Sequence, residues 1–256
     1  MAILGGALVG FFVPDGPFRK SNPKFDISLL PKLSKINALK SAASGYFGHM
    51  WELYTFWAFV PMVIAFLSEG SFSSSKISLL SFSVIAIGGI SCAVGGVISQ
   101  KAGSKKVALF SLLGSGVCCI FLVIAPSVPS TIWIIFLLIW GILVTADSPQ
   151  FSTLVSQSVP AEFKGTALTL VNSMGFALSI VSIQFAQLLL TWLPIDQALA
   201  LLVVGPLTGI LLFRFFAKKR GLNLKPPSVK SNRTIALHFL KWPSTPTFDL
   251  LNLNLH

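Results

Sequence analysis

Of the 256 residues, 54% are hydrophobic, yet the net charge is +11, so the cations must be confined to a few segments. Lys and Arg fall between long apolar runs and not on one face of a folded domain, which excludes a nucleic-acid binder. A mean hydropathy of +0.80 lies outside the range of soluble domains, and the pattern is that of an all-α polytopic membrane protein.

Residues 1–13 are apolar, but no basic residue precedes them and no small-residue cleavage site follows, so they make a poor secretory leader. As a helix they would reach only about 20 Å, too short to cross a bilayer. They read as the end of a span whose beginning is missing, and the remnant is expected to occupy 1–17. A turn-rich break at 14–20 leads into a basic connection, 18–41, and from Pro14 to Lys40 there are six Lys and Arg against two acids. Leu29, Leu30, Ile36 and Leu39 give this connection some interfacial character.

Six full apolar runs follow, over 42–67, 77–98, 107–125, 131–154, 166–190 and 198–216, so that 42–217 is expected to form a six-helix bundle. The second is rich in small residues (Gly88, Gly89, Ser91, Gly95, Gly96) that permit close helix packing. The segment 218–256 begins with a cationic cluster, lacks periodicity and reads as a largely disordered tail. If alternate connections share a side, 18 of the 19 Lys and Arg fall together and Lys76 alone lies opposite. The positive-inside rule then places the basic loop and the tail in the cytoplasm of a multi-pass cell-membrane protein.

The first run carries the most chemistry. His49, Glu52 and Thr55 recur every third residue and share one helix face, with Gly45 and Gly48 continuing it. Trp51, Tyr54 and Trp57 form a neighbouring aromatic stripe, which could be packing, an interfacial belt or a cavity wall. A carboxylate inside a span seldom faces lipid, so this face implies either a protein interior or a water-filled path. Glu52 and Asp147 are the only two acids inside the runs. For Glu52 the readings are a solute or proton path and a structural pairing with His49. For Asp147 they are the same path and a wet position near the cytoplasmic end, paired with a cation such as Lys164. Asn172, Gln184 and Gln187 in the fifth run could contact solute or join helices. Cys92, Cys118 and Cys119 lack metal-ligand spacing and read as small buried hydrophobes. No enzyme signature, metal set or cofactor motif stands out: His49 and Glu52 lack the second His of a zinc protease.

Gly96, Gln100, Lys101, Gly103 and Lys105, with Lys106 just beyond, occupy the turn between the second and third runs. Glycines let the backbone turn tightly, and the cations suit a helix C-terminus. The segment resembles the loop signature of the major facilitator superfamily, Gly-x-x-x-Asp-Arg-x-Gly-Arg-Lys, with Gln100 for Asp and Ser104 for the second Arg. Residues 146–176 resemble the tenth helix, loop and eleventh helix of such transporters, and 160–165 are similar to the family's Pro-x-Glu-x-Arg-Gly turn, with Lys164 for Arg. Residues 12–20 and 45–57 resemble the sixth and seventh helices.

The resemblance covers roughly 1–217 and implies the C-terminal six-helix half of a twelve-helix transporter, built as two three-helix repeats. It implies alternating-access transport of a small solute, leaves proton coupling open, and puts Glu52 and Asp147 on the helices that line the cavity; His49, Trp57, Tyr54 and Asn172 are the further candidates for the path. The bilayer, a small-molecule substrate, and an N-terminal half or second copy are the partners expected. The rival readings are a truncated membrane remnant or scaffold that keeps the fold alone and, third, a membrane-embedded enzyme.

Overall fold

The computed structural model describes residues 2–12 and 30–219, all helix and turn, with no strand among the described residues. Six helical segments are long and apolar enough to cross a membrane. The turn-rich exit at 14–20 and the tail from 220 onward lie outside the described residues.

A short helix α1 (Ala2–Phe12) and a single turn α2 (Leu30–Leu33) precede the first span, α3 (Asn37–Leu67). The second span is α4 (Ser74–Ala102) and the third α5 (Ser104–Phe121), which tightens into a 3₁₀ turn ending at Ser127. The fourth span is interrupted, α6 (Ser130–Ala146) giving way at Asp147 to α7 (Ser148–Gln157). A 3₁₀ turn at Ala161–Phe163 opens the fifth span, α8 (Lys164–Leu189). The sixth comprises α9 (Ile195–Ala200), a 3₁₀ turn, and α10 (Val204–Lys218). Each of the six apolar runs is a span, extended at one or both ends by a few residues.

In the connection before the first span, Leu33 is buried, packed with the cluster that holds Tyr46, Phe151 and Phe213, so this residue helps to seal the end of the bundle. Ser41 Oγ donates to the Phe213 carbonyl at 2.8 Å and fastens the same end.

The first span is the axle. It packs most extensively against α10 and next against α8, while α4 and α5 pack against α6. The approach to α10 is close because backbone meets backbone: a Cβ on Gly48 would sit 2.5 Å from the Gly205 carbonyl oxygen and 2.9 Å from Gly209 Cα. Gly205 and Gly209 are four apart, so both lie on one face of α10, the small-xxx-small arrangement that lets membrane helices touch. Gly175 of α8 likewise makes room for Tyr46 and Met50.

The break in the fourth span follows from Pro149. Proline has no N–H to give the carbonyl four residues back and its ring crowds that oxygen. The freed acceptor is Thr145 O, toward which Cys92 Sγ is directed at 3.5 Å. Asp147 therefore stands between two half-helices, its carbonyl accepting from Phe151 N–H at 2.9 Å.

Candidate functional site

Spacing on α3 brings His49, Glu52 and Thr55 to the inside of the bundle, and all three are 0% exposed. Glu52 is the centre of one cluster. Trp140 Nε1 of α6 donates to its Oε1 at 2.7 Å, Ser115 Oγ of α5 donates to Oε2 at 2.7 Å, and the Cys119 thiol reaches Oε1 at 3.4 Å. Trp140 is held in turn by Phe56, ring centroids 4.3 Å apart, and Phe136 at 5.8 Å. Every donor to the carboxyl group is neutral. The pairing with His49 expected as one alternative is absent: a turn apart on one helix, the two side chains reach different neighbours.

His49 faces Asp147. Its Nδ1 lies 2.9 Å from Asp147 Oδ1, within ion-pair range, and both side chains are 0% exposed. The contact is off the line of a good hydrogen bond, and neither His49 nitrogen nor either Asp147 oxygen has a hydrogen-bond partner among the described residues. The rings of Tyr46 and Phe151 enclose the imidazole, at 5.9 and 6.3 Å between centroids. Gly45 makes this possible, since any Cβ there would overlap the Phe151 ring. Asp147 is thus neither wet nor paired with Lys164, which is exposed. The helix break carries the carboxyl group inward, to the imidazole.

Thr55 Oγ1 donates to Ser182 Oγ at 2.8 Å, tying α3 to α8. Tyr54 and Trp57 are half-buried beside one another, T-shaped at 5.5 Å, and Tyr54 also meets Phe176 at 5.4 Å. Trp57 Nε1 has no hydrogen-bond partner among the described residues. Asn172 is half-buried on α8, four residues before Phe176, and Gln184 and Gln187 are exposed. The grooves that open the described surface, between α4, α5 and α6 and between α3, α8 and α10, leave His49, Glu52 and Asp147 out of their linings. In this conformation the acid face of α3 is protein interior, not a water-filled path.

The loop residues fall where the turn needs them. Gly103 alone separates α4 from α5, at φ 86° and ψ 139°, a conformation open to glycine and strained for other residues. Gly96 lies within α4, and Gln100, Lys101, Lys105 and Lys106 flank the turn.

A family model for the Major Facilitator Superfamily matches residues 1–183 and, in a second overlapping match, 42–246. The chain belongs to the major facilitator superfamily. It is accordingly a membrane transporter of the major facilitator type, all-α and multi-pass, with the fully buried Glu52 on its first span and Asp147 at the break in its fourth. No curated protein and no solved structure matches it.

Sequence reasoning missed the three donors around Glu52. Cys119, taken for an inert hydrophobe, directs its thiol at the carboxyl group, and Trp140 and Ser115 lie in the middle of other apolar runs.

Proposed function

We propose that this chain moves a small solute across the cell membrane by alternating access, with Glu52 as the group that takes up and releases a coupling proton. The observation that carries the reading is a carboxyl group, 0% exposed at the core of a membrane bundle, ringed by three neutral donors and no cation. A lone buried charge is costly in such surroundings, and binding a proton removes it. A movement of α3 against α5 and α6 would exchange the donor ring for water and let the proton go. His49 and Asp147 form the second polar site on the path, and the break at Asp147 supplies a joint of the kind that transporters place beside their binding sites. Tyr54, Trp57 and Asn172 are the solute's contacts, Trp57 Nε1 being a donor without a protein partner.

The bundle 42–217 works as one rocking unit against a facing bundle, supplied by an N-terminal half or by a second copy. Its basic loop at 18–41, the Gly103 turn and the tail from 218 face the cytoplasm. A second reading, a scaffold that keeps the fold alone, is favoured by the closure of the Glu52 cluster.

The full chain, reconstituted in vesicles that enclose a pH-sensitive dye, tests both. A panel of small solutes is added outside, and one of them is expected to acidify the lumen with the native chain. Glu52→Gln, inserted at equal amount, should abolish the signal. Acidification undiminished in Glu52→Gln would remove the carboxyl group from the mechanism, and absence of flux for every solute would support the scaffold.

A further inference from the structure

A lateral groove of about 630 Å³ runs between α4, α5 and α6, away from the acid clusters. Its walls are Ile90, Val94 and Ile98 of α4 with Phe110 of α5, all at least half exposed. Its floor is made of small residues, Gly95 and Ala146 among them, and a Cβ on Gly95 would meet the Ala146 carbonyl oxygen at 3.3 Å. One end is closed by a cation, Lys106. We propose that this groove binds a single phospholipid with an anionic headgroup, the acyl chain lying along α4 and the headgroup phosphate on Lys106.

Three features select that occupant. The lining offers almost nothing for water to bond, and the spans that form it stand in hydrocarbon, so an acyl chain fills it without desolvating polar groups. The groove runs from Ile87 to Ala102 on α4, about 22 Å at 1.5 Å per residue. That is roughly half of a 40–45 Å bilayer with its headgroup layers, the reach of one lipid. Lys106 then stands at headgroup level, with no carboxylate among the described residues within 4.0 Å; the Lys105 ammonium is drawn elsewhere, 5.6 Å from the centre of the Phe213 ring. A transmembrane helix laid in the same slot would cover the Lys106 ammonium without neutralising it, which is costly next to hydrocarbon. An anionic headgroup removes that cost, as basic pockets between membrane helices do for acidic lipids. Ala146 is also the last residue before the break at Asp147, so the lipid would brace the outer side of the joint.

Native mass spectrometry of the full chain, released from detergent after titration with phosphatidylglycerol or phosphatidylcholine, tests the site. The native chain is expected to retain one phosphatidylglycerol at concentrations that leave no phosphatidylcholine bound. Lys106→Gln should lower that retention roughly fivefold, the change given by about 1 kcal/mol per cation near a membrane surface. Val94→Trp, which fills the groove from an exposed position, should abolish it, and Lys76→Gln at the opposite end of α4 should leave it unchanged. Equal retention in Lys106→Gln and the native chain would overturn the proposal, as would displacement of the lipid by inorganic phosphate alone. So would a dimer that Val94→Trp dissolves, which would make a second copy the occupant.

Discussion

At the scale of single residues, the two acid clusters make different demands on a substitution. Replacing Glu52 by Gln keeps an oxygen for Trp140 Nε1 and offers an amide to Ser115 Oγ, so packing and hydrogen bonding both survive. Replacing it by Ala leaves those donors buried and opens a cavity, a loss of about 2–4 kcal/mol. Thermal unfolding in detergent should therefore find Glu52→Gln close to the native chain and Glu52→Ala well below it; equal losses would contradict the donor ring seen around the carboxyl group. For His49 and Asp147 the informative quantity is coupling. The contact at 2.9 Å between fully buried groups predicts that His49→Gln and Asp147→Asn are non-additive, with an interaction of about 1 kcal/mol or more in a double-mutant cycle. Half of this arrangement could be read from the sequence. The i, i+3 spacing of His49 and Glu52 fixes their common face, because helical periodicity is local. Their partners are not local: Ser115, Cys119 and Trp140 lie 63, 67 and 88 residues from Glu52, each inside an apolar run with no nearby pattern to mark it. Pairing across helices is set by how the spans cross, which composition does not encode.

Among elements, extents were the most legible feature and junctions the next. A run of about 20 apolar residues has few options other than a span, since every backbone polar group in hydrocarbon must be bonded within its own helix. The interruption at Asp147 follows from Pro149 two residues on, while the inward turn of the Asp147 side chain depends on where α3 lies. The α3–α10 crossing was not legible, because Gly48, Gly205 and Gly209 announce close packing without naming the helix they pack against. The turn motif supplies a sharp contrast between two of its glycines. Gly103 sits at positive φ, so Gly103→Ala should cost about 1–3 kcal/mol. Gly96 is helical with open space around its missing Cβ, so Gly96→Ala should be neutral or stabilising by up to about 1 kcal/mol. The two midpoints of unfolding, measured side by side, check this directly; a Gly96→Ala variant as damaged as Gly103→Ala would mean that the motif binds something the bundle alone does not show.

For the whole molecule, the distribution of charge predicts how the bundle sits in its membrane. The turn at Gly103 and the 3₁₀ turn at Ala161–Phe163 follow the second and fourth spans, so with all six segments crossing, both are expected on the same side as the basic segment before α3. The turn after the first span opens opposite and carries one cation, Lys76, whose ammonium lies 3.3 Å from the centre of the Phe72 ring. An asymmetry of 18 cations to one leaves the opposite orientation with nearly all the positive charge on the wrong side. Two exposed positions report it, Ser75 at the start of α4 and Glu162 between α7 and α8. The native thiols give a low background, since Cys118 and Cys119 are buried and Cys92 is half-buried within a span. In intact cells a membrane-impermeant maleimide should label Ser75→Cys and should reach Glu162→Cys only after permeabilisation. The reverse order would invert the bundle and place the basic loop outside. Labelling of both from outside would mean that an even number of crossings separates the two positions, so that one of the three spans between them, α4, α5 or the broken α6–α7, lies along the bilayer and does not cross it.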